Sequence, residues 1–387
     1  MSWNDIIGQK KQIRILRKAL VTGRLAHAYL FSGPEACGKE SVAFELARTL
    51  NCRNAHENPE KGSCGCCPDC VQINTFMHDN VEYLFPVEAT LLENVESAKK
   101  ENRRAAEARE RYEALIEKKK CNPYFTPAMD RSMGILTEQI LVLQQKALYM
   151  RGEGEKKTFI ISQAERMNPA AANKLLKLLE EPPAHIMFIL ISSRPETVLP
   201  TIRSRCQQVR FQRAAPQELR QWLQEHRPGI DSQKRDFLAS FSRGNLALAW
   251  ELMQQSSENE TIPAVQLRNQ AIDLLRITLM PKRLHETLTA CETYAKNLSK
   301  TELTLFLGAL LLFFQDVNHR RIDPGFQRLN NPDIAAPVDR FAKNFPNSDF
   351  FAISTITEEA IHAINRNASP LLVLSAWTAE IPPFIRR

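Results

Sequence analysis

Residues 27–51 read HAYLFSGPEACGKESVAFELARTLN: an apolar run of β-forming residues, a glycine-bearing loop, then apolar residues at helical spacing. Strand, loop and helix in that order suit a phosphate-cradling turn, where backbone N–H groups and a helix N-terminus face an anion. Within the loop GPEACGKES (33–41), Gly33, Gly38 and Lys39 satisfy the pattern G-x-x-x-x-G-K-[ST], but the last position does not. Glu40 stands where a Ser or Thr hydroxyl would hold Mg²⁺. A carboxylate is larger than a hydroxyl and adds negative charge beside anionic phosphates. Glu40 therefore weighs against tight binding of Mg-ATP, and whether ADP or ATP still binds passively is left open.

Further strands are expected at VEYLFP (81–86), KTFIIS (157–162), IMFILIS (186–192) and QQVRF (207–211). Helical patterns lie between them at TEQILVLQQKALYM (137–150) and NPAAANKLLKLLEE (168–181). The second opens with Asn168 as N-cap and Pro169 at the first helical position, and it stops before Pro182-Pro183. Apolar strands alternating with helices predict an α/β parallel-sheet domain over residues 1–212. A compact helical unit follows at 213–254, then an all-α region at 255–387. Two or three domains suit a chain of 387 residues, which is long for one core.

Composition excludes little beyond membrane spans. The strongly apolar TELTLFLGALLLFFQDV (301–317) is too short and interrupted to cross a bilayer, and the first twenty residues lack a signal peptide's apolar core. A cytoplasmic chain with no membrane partner is expected. The net charge of +7 permits nucleic-acid contact without demanding it. Between residues 88 and 120 lie nine basic and eight acidic residues, with no Gly or Pro from 91 to 120. An apolar seam through Leu91, Val95, Ala98, Ala105, Tyr112 and Ile116 is broken, so this charged insertion reads as a solvated helix of about 45 Å at about 1.5 Å per residue.

Five of the nine cysteines fall within residues 52–70. Cys64, Cys67 and Cys70 form a C-x-x-C-x-x-C run, and Cys52 upstream offers a fourth thiolate. Four thiolates suit a closed tetrahedral Zn²⁺ site, structural because no position is left for a catalytic water. Cys66 fits the spacing worse but could replace a neighbour, and His56 or His78 could stand in for a Cys. A zinc-organised nucleic-acid module is disfavoured, because RNAHENPEKGS and GCCPD between the ligands are not rich in Lys or Arg.

A nucleotide motor of this kind also carries carboxylates at the end of the strand after the loop's own, to orient Mg²⁺ and polarise water. Here KTFIIS runs into Ser162 and Gln163, and Glu165 reads as a helix-start charge. A third feature is SRC at Ser204, Arg205 and Cys206, with Arg203 alongside. A guanidinium at a domain edge can neutralise phosphate charge across a subunit boundary, although exposed arginines on loops are also common.

These segments together resemble AAA+ clamp-loader ATPases, most closely the delta prime type of subunit of the bacterial DNA polymerase III clamp loader. The matching stretches are IIGQ (6–9), LAHAYLFSGPEACGKE (25–40), the four-cysteine module (52–70), NKLLKLLEEPP (173–183) and TIRSRC (201–206). The resemblance implies an AAA+ (RecA-like) domain, a helical lid at 213–254 and a C-terminal collar. It implies partnership with gamma/tau ATPase subunits and a delta subunit in a hetero-pentamer that places a sliding clamp on primed DNA. It also implies that Arg205 acts in trans on a neighbour's ATP, and that Ala247 stands near the position of a motor's sensor arginine. A non-hydrolysing stator follows, with an ATP-hydrolysing gamma/tau-like motor as the alternative.

Overall fold

The computed structural model describes residues 2–55, 58–92, 103–148, 156–183, 185–254 and 263–386. They fall into two compact units, one of residues 1–218 with 244–250 and the other of residues 219–243 with 251–387.

The first unit is built on five strands: β1 (Ala28–Ser32), β2 (Val81–Leu84), β3 (Lys157–Ile161), β4 (Ile186–Ser192) and β5 (Gln207–Arg210). All pair in parallel, in the order β2-β3-β4-β1-β5. Each strand lies where its apolar run predicts. The helices of this unit are α1 (Lys10–Val21), α2 (Lys39–Asn51), α3 (Pro68–Asn74), α4 (Arg103–Cys121), α5 (Thr137–Leu148), α6 (Pro169–Glu180) and α7 (Pro200–Arg205). Asn168 caps α6 by accepting from the Ala171 N–H at 2.7 Å.

Both sheet faces are buried, and the strand period of two sorts the side chains. Tyr29, Phe31, Ile160, Ile189 and Ile191 join one core with Val42, Phe44 and Leu46 of α2. Leu30, Phe159, Ile161, Phe188 and Leu190 join the other with Ile140, Leu175 and Ile202. Each fully buried large side chain contributes about 1.5–3 kcal/mol. That double burial explains why the strands read as unbroken apolar runs.

Pairing brings Ser32 of β1 opposite Ser192 of β4, and Ile161 of β3 opposite Leu190. The carboxyl ends of β1, β3 and β4 therefore open on one edge of the sheet. In parallel α/β sheets ligands bind at such an edge.

The charged insertion differs from expectation. Helix α4 begins at Arg103 after a 3₁₀ turn at Ala89–Leu91, and residues 93–102, including Val95 and Ala98, lie outside the described residues. One face of α4 is solvated as expected, but the other is packed: Ala108 is fully buried, and Tyr112 stacks on Phe85 with ring centroids 5.5 Å apart. Arg111 makes a two-pronged pair with Glu88 at 3.0 and 2.9 Å.

The remaining helices are α8 (Pro216–His226), α9 (Ser232–Phe241), α10 (Leu246–Gln254), α11 (Pro263–Thr278), α12 (Leu284–Asn297), α13 (Lys300–Ile322), α14 (Ala335–Asn344), α15 (Phe350–Asn365) and α16 (Pro370–Glu380). Among its described residues the second unit holds no strand. Its core centres on Phe306, Leu310, Phe313, Phe314 and Val317 of α13, the apolar helix expected to be buried. Buried Asp316 on the same helix accepts from the backbone and side-chain N–H groups of Asn330 and Asn331 at 2.8–3.0 Å. No helix among the described residues is long and apolar enough to cross a membrane.

Candidate functional site: a phosphate loop closed from within

The loop between β1 and α2 adopts the backbone its sequence requires. Gly33 has φ +150°, and a Cβ there would sit 2.4 Å from the Phe211 carbonyl oxygen. Gly38 caps α2 in the left-handed region at φ +99°. Substitution at either position would strain the turn.

The side chains are arranged for self-containment. Lys39, 6% exposed, turns its ammonium back onto the loop's own carbonyls, donating to Gly33 O at 2.6 Å and Pro34 O at 2.5 Å. Burial lowers its pKa, with the Cys37 thiol and the Glu40 carboxylate opposing. Glu40 is buried, and both of its oxygens are taken. Ser162 Oγ donates to Oε1, and the Lys119 ammonium pairs with Oε2. The departures Glu40 and Ser162, 122 residues apart, thus form one hydrogen bond. Gln163 turns away at φ 53° and donates from Nε2 to Pro127 O at 2.8 Å.

Lys119 comes from the last turn of α4, a residue that sequence reasoning had assigned only to a charge run. Besides Glu40 it donates to Pro123 O at 3.0 Å and to Phe125 O. The segment that follows α4 lies over the loop. Ser41 Oγ donates to Pro123 O at 3.1 Å, and the Tyr124 hydroxyl accepts from the Ile7 N–H at 3.0 Å. Asn122 Nδ2 donates to the carbonyl of Ala247 at 3.0 Å. What remains of the cleft, lined by Gly38, Lys39, Ser41, Tyr124 and Glu165 among others, has a volume of about 20 Å³. That is room for about one water.

Glu165 lies in the 3₁₀ turn after β3, not on a helix proper. Its Oε1 accepts from the N–H and hydroxyl of Ser193 at 3.1 and 2.6 Å, while Oε2 is buried without a partner. It borders the cleft, with an oxygen left to accept another hydrogen bond.

Arg205 stands apart from this cleft. At the end of α7 and about a third exposed, its Nη2 pairs with Glu180 Oε1 at 2.8 Å and its Nη1 donates to Thr201 O at 3.1 Å. Both contacts hold the guanidinium at the surface of its own unit. Arg203 donates instead to Pro195 O at 3.4 Å.

The four expected cysteines meet in a second site. The sulfur atoms of Cys52, Cys64, Cys67 and Cys70 all lie within 4.8 Å of one another. Zinc–sulfur bonds of about 2.3 Å in a tetrahedron place sulfurs about 3.8 Å apart, and Cys52 and Cys67 are 3.9 Å apart. The group can hold a metal ion. N–H groups of Cys66 and Cys67 hold the Cys64 thiol down to about 6, which favours the thiolate form a metal takes. Cys66 is exposed and outside the group. His78 pairs weakly with Asp69 at 3.7 Å, and His56 lies outside the described residues.

The module is tied to the phosphate loop's helix by a residue the sequence reading missed. Glu45 of α2, fully buried, accepts from Ser63 N at 2.9 Å, Ser63 Oγ at 2.8 Å and Arg48 Nε at 3.1 Å. Arg48 reaches on to Asn74 Oδ1 at 2.7 Å.

A family model described as DNA polymerase III, delta subunit, matches residues 8–215, over half of the chain. The chain is 32% identical over 222 residues to DNA polymerase III subunit gamma/tau of Mycobacterium bovis, covering 57% of this chain and 30% of that protein. It is 27% identical over 319 residues to DNA polymerase III subunit delta' of Bacillus subtilis, covering 82% and 79%. To the tau subunit of the same organism it is 24% identical over 337 residues, covering 84% and 51%. The chain thus spans 30% of the length of the gamma/tau relative. The parallel sheet with its phosphate loop, taken with these similarities, defines a protein of the AAA+ clamp-loader class. Within that class, the chain belongs to the DNA polymerase III delta subunit family.

Proposed function

We propose that the chain is a delta prime-type clamp-loader subunit that does not hydrolyse ATP and supplies Arg205 to the ATP of a neighbouring subunit. In this reading it joins gamma/tau ATPase subunits and a delta subunit in a cytoplasmic hetero-pentamer that loads a sliding clamp on primed DNA. A structural Zn²⁺ sits on Cys52, Cys64, Cys67 and Cys70, and residues 213–254 and 255–387 act as lid and collar. The observation that carries the reading is the spent Glu40: its carboxylate stands at the metal-binding position with both oxygens engaged, above a cleft of about 20 Å³. Gly33, Gly38 and Lys39 keep the shape of a nucleotide-binding turn while Lys39 is engaged by the loop itself.

Arg205 suits a donor role because it is partly exposed and held by one surface carboxylate, a pair worth less than about 1 kcal/mol. A neighbour's phosphates would outcompete such a contact. In a reconstituted complex, Arg205→Ala is expected to cut ATP turnover at the adjacent site by about 10³-fold or more, partly masked by the other sites. An unchanged rate at saturating clamp and DNA would remove this role. A second reading, an ATP-hydrolysing gamma/tau-like motor, draws on the 32% identity to gamma/tau. The loop geometry weighs against it.

A further inference from the structure

In a motor of this fold, Mg²⁺ sits beside the residue after the loop lysine. The residues present here do not fit that ion. Glu40 occupies the position, and an ammonium already lies against it. The two side chains are 1% and 5% exposed. The ammonium's three hydrogens have three acceptors, all oxygens: Glu40 Oε2, Pro123 O and Phe125 O. A carboxylate and two carbonyls form the hard-oxygen set that Mg²⁺, Mn²⁺ or Ca²⁺ would choose.

We propose that Lys119 is a built-in replacement for the nucleotide-bound metal, so that α4 and the turn after it serve to hold the phosphate-loop edge in its folded form without any ligand. The inference deepens the non-hydrolysing reading of the same site and rests on it. The sequence supports a dedicated role. Along α4 the inward positions run Ala105, Ala108, Tyr112, Ile116 and then Lys119, so the chain places a cation where its helical period calls for an apolar residue. Lys118 and Lys120 on either side are exposed. A buried lysine is costly unless paired and hydrogen-bonded. Burial lowers the pKa of Lys119, and Glu40 works against that shift. The pair also explains how Glu40 is tolerated. Without Lys119 the buried Oε2 of Glu40 would lose its ammonium partner.

The test uses the full-length, zinc-loaded protein, its Lys119→Ala and Glu40→Gln variants, and the Lys119→Met/Glu40→Gln double variant. Unfolding midpoints are read with and without millimolar Mn²⁺, a cation that prefers oxygen to the thiolates of the cysteine site. Lys119→Ala empties the cation position and leaves the oxygens. It is expected to lower the folding equilibrium constant on the order of 100-fold or more, and Mn²⁺ is expected to restore part of that loss and to bind stoichiometrically by electron paramagnetic resonance. Wild type and the double variant should show neither response, and the double variant should be more stable than either single one. Should Lys119→Ala fail to fold, folding on addition of Mn²⁺ supports the proposal and failure to fold with it overturns it. A folded Lys119→Ala protein that ignores Mn²⁺, or one as stable as wild type, overturns it as well. ATP turnover by the wild-type chain would instead sink the underlying reading, so the two failures are told apart.

Discussion

Glu40 and Lys119 are 79 positions apart, and each looks unremarkable in isolation: one a variant loop residue, the other one lysine of three. Only the helical phase of α4 distinguishes Lys119 from its neighbours, and the alternating charges around it disguise that phase. Glu45 was hidden for the same reason, since a Glu in a helix is ordinarily a solvated face. Its donors from Ser63, Arg48 and Thr49 give it a measurable weight. Glu45→Ala leaves buried N–H groups and the Arg48 guanidinium short of an acceptor, and should cost about 3–5 kcal/mol by chemical denaturation. A loss below about 1 kcal/mol would show that the cysteine module is anchored elsewhere. Glu302 at the start of α13 gives a pH-dependent case. Its carboxylate accepts from Ser299 N at 2.8 Å, and hydrogen bonds from Ser299 hold its pKa below the ordinary 4.5. A depressed folded-state pKa means stabilisation present above about 4.5 and lost as pH falls through the folded-state value. The destabilisation caused by Glu302→Ala should therefore be full near neutrality and shrink in acid unfolding experiments at about pH 3.

Among the elements, those with strong local signals were readable. Strands β1, β3 and β4 are apolar because both of their faces are covered, and α6 is bracketed by Asn168-Pro169 and Pro182-Pro183. The insertion was not readable, because its seam is shared with Phe85, Val87 and Met129, residues of separate segments that packing alone brings together. The clustering of four cysteines was readable from spacing, as was the place of Cys66 outside the group. Metal analysis should separate the cysteines: Cys64→Ser loses stoichiometric zinc and lowers the melting temperature, while Cys66→Ser changes neither. Equal loss in both variants would mean that Cys66 is a ligand and the spacing was parsed wrongly. Zinc affinity should also fall as pH falls, because protons compete for the ligand thiolates, and burial raises the Cys52 and Cys70 thiols even though N–H groups lower that of Cys64.

At the scale of the molecule, residues that the sequence scatters over more than two hundred positions are linked by hydrogen bonds near one edge of the sheet. Glu40 and Ser162 bond to each other, and the carbonyl of Ala247 receives a hydrogen bond from Asn122, two residues before Tyr124 on the segment that lies over the loop. Parallel pairing aligns the strand ends, and the insertion delivers Lys119 to the same place. Arg205 stays outside this edge, paired with Glu180 at the surface. The turn of a nucleotide site is kept, while Lys39 and Glu40 are engaged by the protein's own groups. Equilibrium titration of the isolated, zinc-loaded chain with a fluorescent ATP analogue in Mg²⁺ tests this most directly. No saturable binding into the millimolar range, and no change on Lys39→Ala, are expected. Saturable, Mg²⁺-dependent binding that Lys39→Ala abolishes would contradict that expectation.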